Sequence, residues 1–289
     1  MILSQTISCA SKFGDEKAIE LIAKAGFDAI DYSMYTVAET IFSSDEYKTY
    51  AKHLLEIAEK NNIYFNQGHA PTNAGGDDDE SRYKLLVNAN IKALEMAGIM
   101  RIKTLIIHPI ETGNYIGNEE RVFEKNMKYY RKLLPYAEEY GVRIACENMW
   151  CYDKKRGVSR GSVCSNPYEH ARYIDEMNSE MFVACLDVGH SSLSGREAQD
   201  CIRVLGDRLG ALHIHDNDYK DDMHTLPGIS EMNWDEITKA LADISYKGDF
   251  TFETDHFFDS LNTVEETETG LKLAELIGRK LIKKIEDYK

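Results

Sequence analysis

Positive charge is scarce in this 289-residue chain: 34 Lys and Arg stand against 49 Asp and Glu, a formal net charge of −15. So acidic a surface repels polyanions wherever basic residues are not clustered, and a nucleic-acid partner is disfavoured. Long apolar runs are lacking too. None approaches the ~18 residues needed to span a bilayer, so no membrane partner is expected. The start, Met1-Ile2-Leu3-Ser4-Gln5, carries no basic stretch, which argues against a cleaved secretory leader. There is no Cys-x-x-Cys pair. The six Cys stand at 9, 146, 151, 164, 185 and 201, and such scattered usage suits reduced thiols in a cytoplasmic protein better than a disulfide framework. With 5 Pro, 19 Gly, 43% hydrophobic and 29% charged residues, the composition excludes collagen-like, fibrous and disordered chains. No repeat, low-complexity segment or linker divides the chain, and no Gly-x-Gly-x-x-Gly follows the first apolar run.

What is present is one rhythm from end to end. Short β-branched or apolar runs at 2–8, 28–32, 63–69, 103–108, 142–148, 182–187, 209–215 and 249–253 predict eight strands. Between them, helical periodicity spans 16–25, 45–60, 82–97, 119–140, 167–177, 195–205 and 234–244, with a closing run over 264–289. Leu54, Leu55 and Ala58 share one face, as a helix packed on a sheet requires. Gly26, Gly98, Gly141, Gly206 and Gly248 are placed after helices, where the chain turns back. Runs that are apolar at consecutive positions, such as Leu105, Ile106 and Ile107, fit parallel strands covered on both faces. Eight such units favour a single α/β domain over residues 1–289, a closed (β/α)8 TIM barrel, over an open doubly wound sheet. The missing glycine fingerprint weakens the dinucleotide-binding form of that alternative.

Polar residues concentrate where the predicted strands end. Of nine His, only His53 and His170 fall in helical runs; His69, His108, His190, His213, His215, His224 and His256 lie at or just after strand ends. Glu147, Asp187 and Glu253 join them. In a barrel those ends build the active site. Two Glu, one Asp and one His from four consecutive strands make a hard, oxygen-rich site suited to Mn²⁺, Mg²⁺, Zn²⁺ or Co²⁺. Alternation points His213 and His215 to the same side, so either could supply the nitrogen. Asp187 is read as a rim residue, apart from the packed core.

Cys146-Glu147-Asn148, Leu186-Asp187-Val188-Gly189-His190, His213-Ile214-His215-Asp216 and Phe252-Glu253 together resemble the signatures of xylose-isomerase-like TIM barrels. That family includes sugar and sugar-phosphate isomerases and epimerases, and the resemblance runs from the first strand to the last helix. It implies that Glu147, Asp187, His213 and Glu253 bind one divalent metal, selecting His213 over His215. It also implies that the two glutamates move the proton and that His190 touches substrate hydroxyls. The chemistry suits those residue types, because a proton beside a carbonyl is too weakly acidic for an unaided carboxylate of pKa about 4. A cation that stabilises the developing enediolate lets two glutamates remove and return that proton. Return to the same carbon is epimerisation and return to its neighbour is isomerisation; the residue types do not decide between them.

The polar stretches 75–80, 150–166 and 216–233 follow strands and are read as loops of the site rim. Trp150 and Tyr152 offer aromatic faces to a sugar, and His69, His108, His190 and His224 offer hydroxyl contacts. The basic cluster Lys154-Lys155-Arg156-Gly157-Val158-Ser159-Arg160 is a phosphate contact, a lid or a solvated loop. Beyond it the rim offers Lys220 but no glycine-rich nest, so an uncharged sugar or polyol is preferred over a sugar phosphate. A rival reading lays the trinuclear zinc pattern of apurinic endonucleases on His69, His108, Glu147, Asp187, His190, His213, Asp222, His224 and Glu253. All nine positions are ligand types, with His69, His108, His190, Asp222 and His224 the additional ligands. The −15 charge weighs against that phosphodiesterase reading. A lyase on the same barrel, and a sugar-binding or metal-storage barrel without turnover, are the remaining alternatives.

Overall fold

The computed structural model describes residues 1–35, 41–72, 80–111 and 115–288. The predicted rim loop 75–80 lies, Glu80 apart, outside the described residues. Among the described residues ten strands occur in chain order: β1 (Leu3–Thr6), β2 (Ala29–Ser33), β3 (Tyr64–His69), β4 (Thr104–Ile107), β5 (Arg143–Glu147), β6 (Trp150–Asp153), β7 (Val158–Gly161), β8 (Phe182–Asp187), β9 (Leu209–His213) and β10 (Phe250–Phe252). All but β6 and β7 form one parallel sheet in the order β10-β1-β2-β3-β4-β5-β8-β9. Just past β9 the ring closes, as Ile214 N–H donates to Thr251 O (2.9 Å) and Glu253 N–H to Ile214 O (3.1 Å). Every predicted run coincides with a barrel strand to within two residues at either end.

The outer layer comprises α1 (Asp15–Ala25), α2 (Glu46–Lys60), α3 (Glu80–Ile99), α4 (Glu119–Tyr140), α5 (Pro167–Met177), α6 (Val188–Leu193), α7 (Ala198–Leu205), α8 (Trp234–Asp243), α9 (Asp255–Phe258) and α10 (Val264–Asp287). Each long helix buries one stripe; in α2 it is Tyr47, Ala51, Leu54 and Ala58. None of the helices among the described residues is long and apolar enough to cross a membrane.

Three expectations need correction. Residues Ile7–Phe13 wind into a 3-10 helix and do not prolong β1. Stretch 150–166 is not simply a loop, because β6 and β7 pair antiparallel with Trp150 opposite Gly161. Gly98 lies inside α3, where the close approach of Tyr140 (3.1 Å from a Cβ placed there) calls for a glycine; the left-handed residue after that helix is Arg101 (φ 61°).

Strand alternation positions the site. Ile106, Ala145, Cys185 and Ala211, on β4, β5, β8 and β9, form a small buried cluster separate from the main core. Two residues further along each strand, on the same face, come His108, Glu147, Asp187 and His213. An apolar layer inside the barrel therefore floors a polar one at the strands' C-terminal ends.

Candidate active site

Glu147 is the hub. Its Oε1 lies 2.7 Å from His213 Nδ1, and its Oε2 lies 2.7 Å from His108 Nε2 and 3.5 Å from His69 Nε2. Glu253, from the end of β10, brings Oε2 to 3.1 Å from that same His213 Nδ1. Glu147 and Glu253 thus converge on one imidazole nitrogen from strands three places apart around the ring. Asp187 is the Cα partner of His213 in the β8–β9 register. Its carboxylate meets His215 Nε2 at 3.0 and 3.2 Å and caps α6 by accepting from His190 N–H (2.7 Å). Fully buried, Asp187 is no rim residue: it caps a helix inside the packed barrel mouth. Asn148 clamps it, accepting from Asp187 N–H (2.8 Å) and donating to Asp187 O (2.9 Å).

A second group surrounds Asp222. His224 Nε2 lies 3.3 Å from Asp222 Oδ1, His190 Nε2 3.7 Å from Oδ2, and Trp150 Nε1–H donates to Oδ2 (3.2 Å). The rings of His215 and His224 stack at 4.1 Å. The loop carrying Asp222 is anchored by Asp216, which accepts from the N–H groups of Asn217, Gly228, Ser230 and Met232 and from Trp234 Nε1–H, at 2.8–3.2 Å.

The donor set fits a divalent cation. His69 Nδ1 lies 3.0 Å from Ala70 O and His190 Nδ1 2.9 Å from Asn148 O, so a ring that donates there as a neutral imidazole presents Nε2 as its ligand atom. His69 Nε2 and His108 Nε2 stand 3.0 Å apart over Glu147 Oε2, a buried oxygen with no in-line donor. Sets of ligand atoms within 4.8 Å of one another include His69, Glu253 and His213; His69, His108 and Glu147; Glu147, Cys185 and His213; and His190, Asp222 and His224. The field here is strongly negative. Burial opposes charge on His190, yet Asp187 and Asp222 push it up to about 10. Against the same burial penalty, carboxylates raise His213 and His224 well above the ordinary histidine range. Although burial opposes its charge, neighbouring imidazoles hold Glu147 well below the usual carboxylate range, while burial raises Glu253. A cation bound there would neutralise that field and leave the imidazoles uncharged as ligands.

Sequence-predicted residues divide as follows. Glu147, His213 and Glu253 meet directly, with Asp187 beside them; His69 and His108 flank Glu147; His190, Asp222, His224 and Trp150 form the second group. His215 faces Asp187, and half-exposed His256 sits on α9 with Nδ1 3.2 Å from Asp222 O. Tyr152 stands largely exposed on the hairpin and lines a small cavity with Glu111, Tyr115 and Arg160. Part of the basic cluster is neutralised, since Asp153 takes Arg156 at 2.9 Å and Arg160 at 3.8 Å.

Three site residues escaped sequence reasoning. Asp31, on β2, reaches His213 Nε2 at 3.3 Å and accepts from Gln67 Nε2–H (2.8 Å). An acid flanked by Ile30 and Tyr32 within an apolar run was its signal. Tyr35 donates its hydroxyl to His69 Nε2 (2.6 Å), and Asp255 lies 3.0 Å from His224 Nδ1. Those last two carried no sequence signal.

Comparison with known proteins places this geometry among relatives. A sequence-family profile described as "Xylose isomerase-like TIM barrel" matches residues 19–275. An uncharacterised protein of Methanocaldococcus jannaschii is 24% identical over 242 residues, covering 81% of this chain and 78% of its own. The D-psicose 3-epimerase of Enterocloster bolteae is 25% identical over 245 residues, covering 81% and 74%. Among solved structures, the IOLI protein with a binding zinc atom superimposes with a TM-score of 0.77 at 18% identity, over 100% of this chain and 99% of that one.

Proposed function

Because the chain belongs to the xylose isomerase-like TIM-barrel family, we propose that it is a metal-dependent isomerase or epimerase of a small sugar or polyol. Glu147, Asp187, His213 and Glu253 hold the cation, and Glu147 and Glu253 move the proton. The observation that carries this reading is the convergence of the two glutamates on His213 Nδ1, at 2.7 and 3.1 Å. A divalent ion bound there (Mn²⁺, Zn²⁺, Co²⁺ or Mg²⁺) supplies Lewis acidity to the carbonyl beside the labile C–H. One glutamate takes the proton from carbon and the other returns it. His69, His108, His190, His224 and Trp150 line the mouth and orient substrate hydroxyls. Relatives named D-psicose 3-epimerase and fructoselysine 3-epimerase support a ketose-type substrate and return of the proton to the same carbon.

The test is exchange of the carbon-bound proton in deuterated water, over a panel of ketoses and inososes. Glu147→Gln and Glu253→Gln should each lower exchange by about 10²–10⁴-fold while keeping metal. His69→Asn should mainly raise KM. Near-normal exchange in both glutamine variants, with His69→Asn inactive, would refute the two-glutamate mechanism. The donor triads His69/His108/Glu147 and His190/Asp222/His224 favour a second reading, a multinuclear zinc hydrolase. One ion among the strand-end donors supports the sugar enzyme; two or three zinc ions held by those donors, with phosphodiester turnover, support the hydrolase.

A further inference from the structure

On the outward face of β5, one residue before Glu147, lies a second group of ligand-type side chains that the proton-transfer chemistry does not use. Cys146, Cys164 and His170 are all buried, and their ligand atoms lie within 4.8 Å of one another. The two Sγ atoms stand 3.6 Å apart. Zn–S bonds of about 2.3 Å in a tetrahedron put ligand atoms about 3.7 Å apart, so this pair already has the spacing of one tetrahedral edge. His170 is prepared as a ligand: its Nε2–H donates to Cys146 O (2.8 Å), which leaves Nδ1 bare, and Nδ1 is a buried atom with no hydrogen-bond partner. An imidazole that donates one N–H to a backbone carbonyl and turns the other nitrogen inward is the usual support of a metal-bound histidine. Tyr173 adds a buried hydroxyl that also lacks a partner. Cys164 reaches its place at φ 60°, a left-handed conformation that a residue with a side chain rarely adopts.

We propose that Cys146, Cys164 and His170 Nδ1 form a structural site for a thiophilic divalent cation, zinc in the first instance, with Tyr173 or one water as the fourth ligand. Binding displaces the two thiol protons to solvent. The ion ties the segment after β7, which leads out of the β6–β7 hairpin, to β5 and α5. It thereby fixes the strand that carries Glu147 and the hairpin that carries Trp150.

The test is ¹¹³Cd NMR of the purified protein with its thiols kept reduced and its metal replaced by ¹¹³Cd²⁺. Two separate resonances are expected, one far downfield from a two-sulfur site and one upfield from an oxygen and nitrogen site. Cys164→Ser and Cys164→Ala should remove only the downfield line, and Asp187→Asn only the upfield one. Cys185 lies beneath the catalytic group and offers it a single sulfur, so a downfield line that survives Cys164→Ser belongs there and counts against the proposal. If the cysteine variants fail to fold, the wild-type spectrum still decides. Absence of a two-sulfur resonance at saturating Cd²⁺ would overturn the site, as would a Cys146–Cys164 disulfide in protein purified under reducing conditions.

Discussion

Asp31→Asn separates metal affinity from fold stability. Asp31 Oδ2 lies 3.3 Å from His213 Nε2, on the side of the ring opposite Glu147 and Glu253. A carboxylate in that position orients a ligating imidazole and strengthens its donor nitrogen, and losing it costs about 10–100-fold in metal affinity, or about 1.4–2.7 kcal/mol. The fold should not suffer. The amide oxygen still accepts from Gln67, and a buried charge with one unpartnered oxygen, Oδ1, is removed. With metal at 100 times the wild-type Kd, binding stabilises the native state by about 2.7 kcal/mol. The same metal concentration should stabilise the variant by only about 0.4–1.4 kcal/mol. Scanning calorimetry with and without metal, alongside competition against a chelator, reads both quantities. The apo variant should melt at or above the wild-type temperature while its metal-induced gain shrinks. Unchanged metal affinity, or an apo melting temperature that falls as far as the holo one, would refute the relay from Asp31 through His213.

Asp187→Ala should abolish metal binding at the strand-end site and cost about 1 kcal/mol of stability from the lost cap of α6, whereas Asp187→Asn should lose that metal and keep the cap; metal analysis with thermal melting distinguishes them. Gly189→Ala would put a Cβ 1.9 Å from the His215 ring, forcing that ring off Asp187; overpacking of this kind costs about 1–3 kcal/mol, and a melting temperature equal to wild type would contradict the packing. Burial opposes charge on Asp28, but Arg279, at 2.7 and 2.9 Å, and Leu3 N–H hold its carboxyl below the usual range. The stabilisation is therefore complete above pH ~4, the unfolded value, and lost as pH falls through the lower folded value. For a partly exposed pair it amounts to about 1 kcal/mol or less, so the melting curves of wild type and Asp28→Asn should converge under acid and separate at neutral pH.

The barrel was readable because its signals are local. Apolar runs bounded by helical periodicity need no long-range information, and the ends of β8, α4 and α5 fall where pattern and punctuation place them. The hairpin was not readable for a physical reason. In β6 and β7 no residue is fully buried, so neither strand has the apolar alternation of a strand with a core face. The charged turn between them also reads as an ordinary solvated loop. Gly98 misled because a glycine near a helix end resembles a cap, while its real constraint is the neighbouring helix residue Tyr140.

The placing of donor-type residues at the strand ends was readable through strand alternation, which puts His108, Glu147, Asp187 and His213 two residues beyond a common apolar layer. The residues that hold those side chains were not, because their roles depend on register. Along the β2–β3 pair, Ile30 stands opposite Phe65, but Asp31 stands opposite Gln67, so Asn66 is skipped by a bulge. A one-residue slip exchanges the faces of a strand. Here it sets Asp31 beside Gln67 and under His213, whereas an unbroken register would pair Asp31 with Asn66, which instead bonds Asp249 at 3.0 Å toward the other end of the barrel. Nothing in the composition of residues 63–69 announces that slip. Its consequence is chemical: the bulge supplies the third carboxylate contact of His213, after Glu147 and Glu253, so the strand irregularity and the support of the proposed metal ligand are one feature.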